Sequence, residues 1–301
     1  MRTVQALVFL FVSVSVAVAA CGGSAASTPA QPAGPPFVPT SFTVKVSGAG
    51  RPVIFIPGLA CDGTIWDGTV AHLGGKVQAH VLSLAGFAGN PPIAKPLMPT
   101  VREELVEYIR RNHLDHPIVV GHSLGGSMTF WVAETAPDLV GGVVAVDGAP
   151  YLGALQDPAA TPETVRDDAQ AFTGRIASLD PDDFSSEISH FIGQMVGKRE
   201  DAAGVSVAAG KSDARTTAAA MLFLFTNDLR PDLGKIQAPA LVVVADGNGE
   251  RPRDALEKSW HAQVDPIPRH ELVIVEHSKH FIMLDQPQAL YAALDKFLAA
   301  K

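Results

Sequence analysis

Short runs of β-branched and aliphatic residues recur along the chain, separated by stretches whose apolar positions fall at helical spacing. The runs at 42–46, 53–56, 79–84, 118–120, 142–146, 241–245 and 272–276 read as strands. Several are apolar on both faces, as a sheet covered on both sides requires. Strand and helix patterns in alternation predict βαβ units around a mostly parallel sheet, an α/β architecture with helices on both faces. Thr100 followed by Glu103 reads as a capping box, which predicts a helix over 101–112. Between 149 and 231 the alternation stops. No strand pattern occurs there, Pro-led helix starts follow Thr161 and Asp180, and an apolar stretch fills 218–225. The pattern predicts a core built from 41–148 and 232–301, with a helical cap inserted over 149–231.

The N-terminal part follows other rules. After Arg2, an uncharged apolar run over 6–20 is short for a bilayer span and suits the hydrophobic region of a signal peptide, here 1–20. The run ends Val18-Ala19-Ala20-Cys21, which resembles the lipobox of bacterial lipoproteins, where the cysteine is acylated on sulfur and becomes the new N-terminus. On that reading the mature chain is exported and held in the cell envelope by a lipid on Cys21. Ordinary cleavage after Ala19 or Ala20 is the alternative, and leaves a periplasmic or secreted soluble protein. Residues 21–40 are small, uncharged and rich in proline and alanine, the composition of an extended tether.

Composition narrows the partners. With 47% hydrophobic and 18% charged residues the chain can bury a sizeable core. A net charge of −8 without any block of Lys or Arg offers no electrostatic footprint for nucleic acid. The only cysteines are Cys21 and Cys61, so acylation of Cys21 leaves Cys61 as a free thiol. No His, Cys and carboxylate set has ligand spacing, so neither a metal nor an organic cofactor is expected.

The strongest chemical signal is Gly121-His122-Ser123-Leu124-Gly125-Gly126, directly after the strand run at 118–120 and directly before a helical run. This is G-x-S-x-G in the strand, turn, helix setting that the motif needs. Glycines at 121 and 125 let helix and strand approach closely, which pushes the Ser123 hydroxyl into the open.

On this motif the chain from residue 41 onward resembles the α/β-hydrolase family. The resemblance implies a serine nucleophile, an acid and a histidine in that chain order, the histidine in the loop after the last strand. Ser123 stands at the nucleophile position, where dehalogenase relatives carry aspartate. His280 stands at the histidine position, preferred over His277, which adjoins the strand end. The family's common acid follows the penultimate strand as G-x-x-D, but here that position is Asn248. Two carboxylates remain: Asp147 at the end of 142–146, the preferred one, and Asp246 just after 241–245. The resemblance also implies an oxyanion hole from the backbone N–H groups of Leu59 and Leu124, each donor worth about 2.7–4 kcal/mol of barrier. Pro57 replaces the histidine usual in that loop, which leaves a backbone donor untouched. Cys61 and Trp66 are expected to line or support the pocket without taking part in the reaction.

The reaction implied is hydrolysis of a carboxylic ester of a small molecule through an acyl-enzyme. Amide, peptide or lactone hydrolysis and acyl transfer would use the same residues. A surface binding protein with a decayed site is the reading from another class, and Asn248 is what favours it.

Overall fold

The computed structural model describes residues 37–250 and 252–300. The expected signal peptide, the acylation site Cys21 and the tether up to residue 36 lie outside the described residues.

The aliphatic runs form seven strands: β1 (Phe42–Gly48), β2 (Arg51–Ile56), β3 (Val77–Leu84), β4 (Ile118–His122), β5 (Gly142–Val146), β6 (Ala240–Ala245) and β7 (His270–Val275). They make one sheet in the order β1-β3-β2-β4-β5-β6-β7, parallel except for β1, which pairs antiparallel with β3. Central strands are covered on both faces, so Ile54, Phe55, Val119, Val143, Val144 and Val242 are all fully buried.

The helices between them are α1 (Asp67–Leu73), α2 (Leu97–Arg111) and α3 (Leu124–Thr135), then α4 (Gly153–Gln156), α5 (Pro162–Ala177), α6 (Pro181–Gln194), α7 (Arg199–Ala209) and α8 (Ala214–Thr226), and finally α9 (Arg253–Val264), α10 (Ile282–Asp285) and α11 (Pro287–Ala299). Helix α1 packs with α11, and α2 packs with α3. The connection from β2 to β3 through α1 runs one way along the sheet, and those from β3 to β4 through α2 and from β4 to β5 through α3 run the other way, so the right-handed rule for parallel crossovers puts the two pairs on opposite faces. Helices α4–α8 lie between β5 and β6, with α5 packed on α8 and α6 on α7. Thr161 caps α5 reciprocally with Thr164, and Asp180 caps α6 through the amides of Asp182 and Asp183. No helix among the described residues is long and apolar enough to cross a membrane.

The start of α2 differs from its sequence pattern. The helix begins at Leu97, a turn before Thr100, and Thr100 Oγ1 donates to the Pro96 carbonyl at 2.7 Å instead of capping. Pro99 falls in the first turn, where a missing N–H removes no helical hydrogen bond, and burial of Leu97 and Met98 rewards the extra turn. Glu103 is exposed, whereas Glu104 accepts hydrogen bonds from the amides and hydroxyls of Thr40 and Ser41 at 2.6–2.8 Å. Burial would raise the Glu104 carboxyl, but these four bonds outweigh it and hold the group below its usual range. Thr40, read from sequence as the end of the tether, is thus bound to the domain.

Candidate active site

Strand order reverses between β2 and β4, where Ile56 sits opposite Gly121. At such a switch point the turns leaving neighbouring strands diverge and open a crevice at the carboxyl ends of the sheet. Ser123 occupies the turn after β4 with φ 55° and ψ −117°, a conformation of order 1–3 kcal/mol above the relaxed backbone. Its amide donates to the Val146 carbonyl at 2.9 Å, which pins the turn to β5. A Cβ on Gly121 would collide with the Gly125 carbonyl, and one on Gly125 with the Ile56 carbonyl. Those two glycines let α3 rise directly off the strand and hold the serine in its strained turn.

Asp147 follows β5 and also has a positive φ, 48°. One carboxylate oxygen accepts the Ala245 amide at 3.0 Å, which ties Asp147 to β6, and the other lies 2.6 Å from His280 Nδ1. The pair is partly shielded, with 24% of the His280 side chain and 15% of the Asp147 side chain exposed. With its Nδ1–H given to the carboxylate, the imidazole keeps the Nε2 lone pair for a proton.

Asp246 is placed differently. Its oxygens accept the amides of Asn248 at 2.8 Å, Ser278 at 3.1 Å and His277 at 3.0 Å, joining the loops after β6 and β7. Burial works against its charge, yet those three bonds, helped by the nearby His277 imidazole, hold the carboxyl below its ordinary value. Asn248 is a turn residue with φ 59°, and His277 donates its amide to Asp246 while its carbonyl accepts from Gln286 Nε2. The structure brings Asp147 to His280 and leaves Asp246, Asn248 and His277 as loop scaffold.

Ser123, Asp147, His280 and Leu59 line one cavity of about 390 Å³. Its roof is apolar and comes from the helices between β5 and β6, with Leu155, Phe191, Met195, Met221 and Leu224 facing it. Asp246 and Glu250 also reach its wall, and no Lys or Arg is among the described residues that line it. Ser123 and His280 share the cavity without a direct hydrogen bond, a contact that often tightens only when substrate binds. Leu124 opens α3, where first-turn amides have no helical acceptor and the dipole favours negative charge. The loop after β2 is pressed over Ser123, since a Cβ on Gly58 would lie 3.3 Å from Ser123 Cβ. That places the Leu59 segment beside the serine.

The sequence does not mark His122 as functional, although it sits inside the motif. It is 1% exposed, its Nε2 is 3.0 Å from the His280 carbonyl, and its ring centroid is 4.6 Å from that of His280 and 4.6 Å from that of Phe281. Burial, then the neighbouring His280, push its pKa well below the ordinary value despite that hydrogen bond, so the ring is neutral. Cys61 and Trp66 do not line this cavity. Trp66 is fully buried against Phe55, and Cys61 is a free buried thiol beside a different, smaller cavity. Desolvation, with Asp62 adding to it, pushes the Cys61 thiol up to about 12.

Fold and motif agree with the comparisons. The family model described as alpha/beta hydrolase fold matches residues 51–287, so the chain belongs to that family, a family of hydrolytic enzymes. A pimeloyl-[acyl-carrier protein] methyl ester esterase from Nitrosomonas europaea is 25% identical over 263 residues, 85% of this chain and 98% of the relative. A 2-(acetamidomethylene)succinate hydrolase from Mesorhizobium japonicum is 23% identical, covering 86% of this chain and 92% of the relative. Among solved structures, a thermophilic esterase from Thermogutta terrifontis superposes with a TM-score of 0.71 at 18% identity, covering 86% of this chain and 93% of that one.

Proposed function

We propose that this hydrolase cleaves carboxylic esters through an acyl-enzyme formed on Ser123. The observation that carries the reading is the 2.6 Å bond between His280 Nδ1 and Asp147, in the same cavity as a strained, glycine-flanked serine. His280 Nε2 takes the Ser123 proton as the hydroxyl attacks the ester carbonyl, and then delivers it to the leaving alcohol. Asp147 orients the ring and stabilises the imidazolium. The Leu59 and Leu124 amides receive the oxyanion of the tetrahedral intermediate. Water activated by the same histidine then releases the acid and restores Ser123.

An apolar roof, with no Lys or Arg among the described lining residues, favours uncharged acyl groups of moderate length. Esterase names among the relatives support ester over amide chemistry, while the substrates in those names belong to those proteins.

The test is labelling with a fluorophosphonate probe followed by mass mapping. Ser123 should carry the probe in the wild type, with labelling lost in Ser123→Ala and collapsed in His280→Ala. Folded wild type that stays unlabelled would transfer the protein to the binding-protein reading.

Export and lipid anchoring at Cys21 belong to the same proposal and rest on the sequence of the first 21 residues. Metabolic labelling with palmitate should mark the wild type and not Cys21→Ser. Release of unlabelled wild type to the medium would overturn the anchor.

A further inference from the structure

At the edge of the sheet opposite the cavity, the end of α9 and the start of β7 bring together His261, Asp265 and His270, with ligand atoms all within 4.8 Å of one another. His261 Nδ1 is 2.8 Å and His270 Nε2 is 3.4 Å from the same oxygen, Asp265 Oδ1. We propose that these three residues form a binding site for a divalent transition-metal ion of the zinc type, separate from the hydrolytic cavity.

The donor set is two imidazoles and one carboxylate, which suits a borderline cation such as zinc. Bonds of roughly 2.0–2.1 Å in a tetrahedral shell put neighbouring ligand atoms about 3.3–3.4 Å apart. The carboxylate oxygen already lies 2.8 and 3.4 Å from the two nitrogens, so binding needs only small side-chain adjustments.

Two features prepare the site. His270 Nδ1 is 2.9 Å from the Ile267 carbonyl, which fixes the proton on Nδ1 and leaves the Nε2 lone pair toward Asp265. Donation of the second ring nitrogen to a carbonyl is the usual way a metal-binding imidazole is oriented. The backbone carrying the ligands is also anchored, because Val264 and Ile267, on either side of Asp265, are 0% and 1% exposed. On binding, the metal replaces the hydrogen that His261 Nδ1 shares with Asp265, and that ring keeps a proton on Nε2 instead. The remaining coordination position faces solvent and takes water.

This departs from the expectation of no metal. His261 and Asp265 alone are an ordinary helical i,i+4 pair, and the third ligand joins only through the turn into β7.

Titrate the full chain with zinc against a chromophoric chelator, and follow its melting temperature with and without zinc. A single saturable ion per chain and a zinc-dependent rise in melting temperature are expected. His270→Ala and His261→Ala should each weaken binding at least about tenfold. Asp265→Asn, which keeps the volume, should also weaken it. His261 and Asp265 are exposed, so metal-free melting of their variants should stay near that of wild type, while His270, which is partly buried, is read by its zinc affinity against its own metal-free melt. Zinc binding of unchanged strength in His270→Ala and Asp265→Asn, or wild type without a saturable ion, would overturn the proposal.

Discussion

His122 Nε2 lies 3.0 Å from the main-chain carbonyl of His280, and the His122 ring packs against the His280 ring that contacts Asp147. The buried imidazole of His122 therefore braces the loop that carries His280. His122→Phe keeps an aromatic ring, a slightly larger one, but removes the donor. Labelling of Ser123 should slow by about tenfold, an effect of roughly 1–1.5 kcal/mol, as for one neutral hydrogen bond. The same variant tests a pH effect. His122 stays neutral in the folded chain, whereas the unfolded chain takes up a proton around the ordinary value of 6.5. Its contribution is complete above that value and is lost as pH falls below it. Thermal melts between pH 7 and 5 should therefore slope less in His122→Phe than in wild type.

Asp147→Asn and Asp246→Asn separate the two carboxylates. The first removes the charge facing His280 and should lower ester turnover by up to about 10⁴-fold, as in other serine hydrolases. The second disturbs an acceptor of three loop amides and should lower stability by about 1–3 kcal/mol, with turnover changed only several-fold. Steady-state kinetics beside thermal melts check both, and equal loss of turnover in the two variants would contradict the assignment.

Glu134 on α3 sets a pH dependence of opposite sign. Burial, then Asp232, outweigh Lys235 and Arg102 and push its carboxyl up to about 8. The unfolded chain releases this proton near 4.5, so Glu134 costs stability as pH rises from there toward 8. Glu134→Gln should melt about 2–4 °C above wild type at pH 8, and the gain should vanish below pH 4.5.

Met221 lies in the apolar roof of the main cavity and also borders a small void beside Phe184 and Ile188. Met221→Trp should shorten the space for an acyl chain. The ratio of kcat/KM for an octanoate over a butyrate ester should fall roughly tenfold or more.

Patterns of short range were the most legible. Strands β1 to β7 follow from their aliphatic runs, the glycines around Ser123 announce the elbow, and Thr161 and Asp180 mark helix starts through local caps. The sequence marks helix α2 but not its start, because Thr100 and Glu103 imitate a cap, while the deciding terms, burial of Leu97 and Met98, depend on tertiary packing. The choice between Asp147 and Asp246 is likewise long-range. Asp147 is 133 positions from His280, and the parallel register of β5, β6 and β7 decides which carboxylate reaches the ring. The place of His122 is not legible in the sequence, because a histidine inside a motif shows its burial only once Phe281 and Gly58 are folded around it.

Cys61 lies two residues beyond Leu59, is 1% exposed, and keeps its proton because its pKa is raised to about 12. A thiol so placed reacts with an alkylating reagent only when the loop lifts away from the core. Its alkylation rate in the native protein is therefore a built-in gauge of how often the segment that carries the Leu59 amide opens, read at a single atom and without altering the cavity itself.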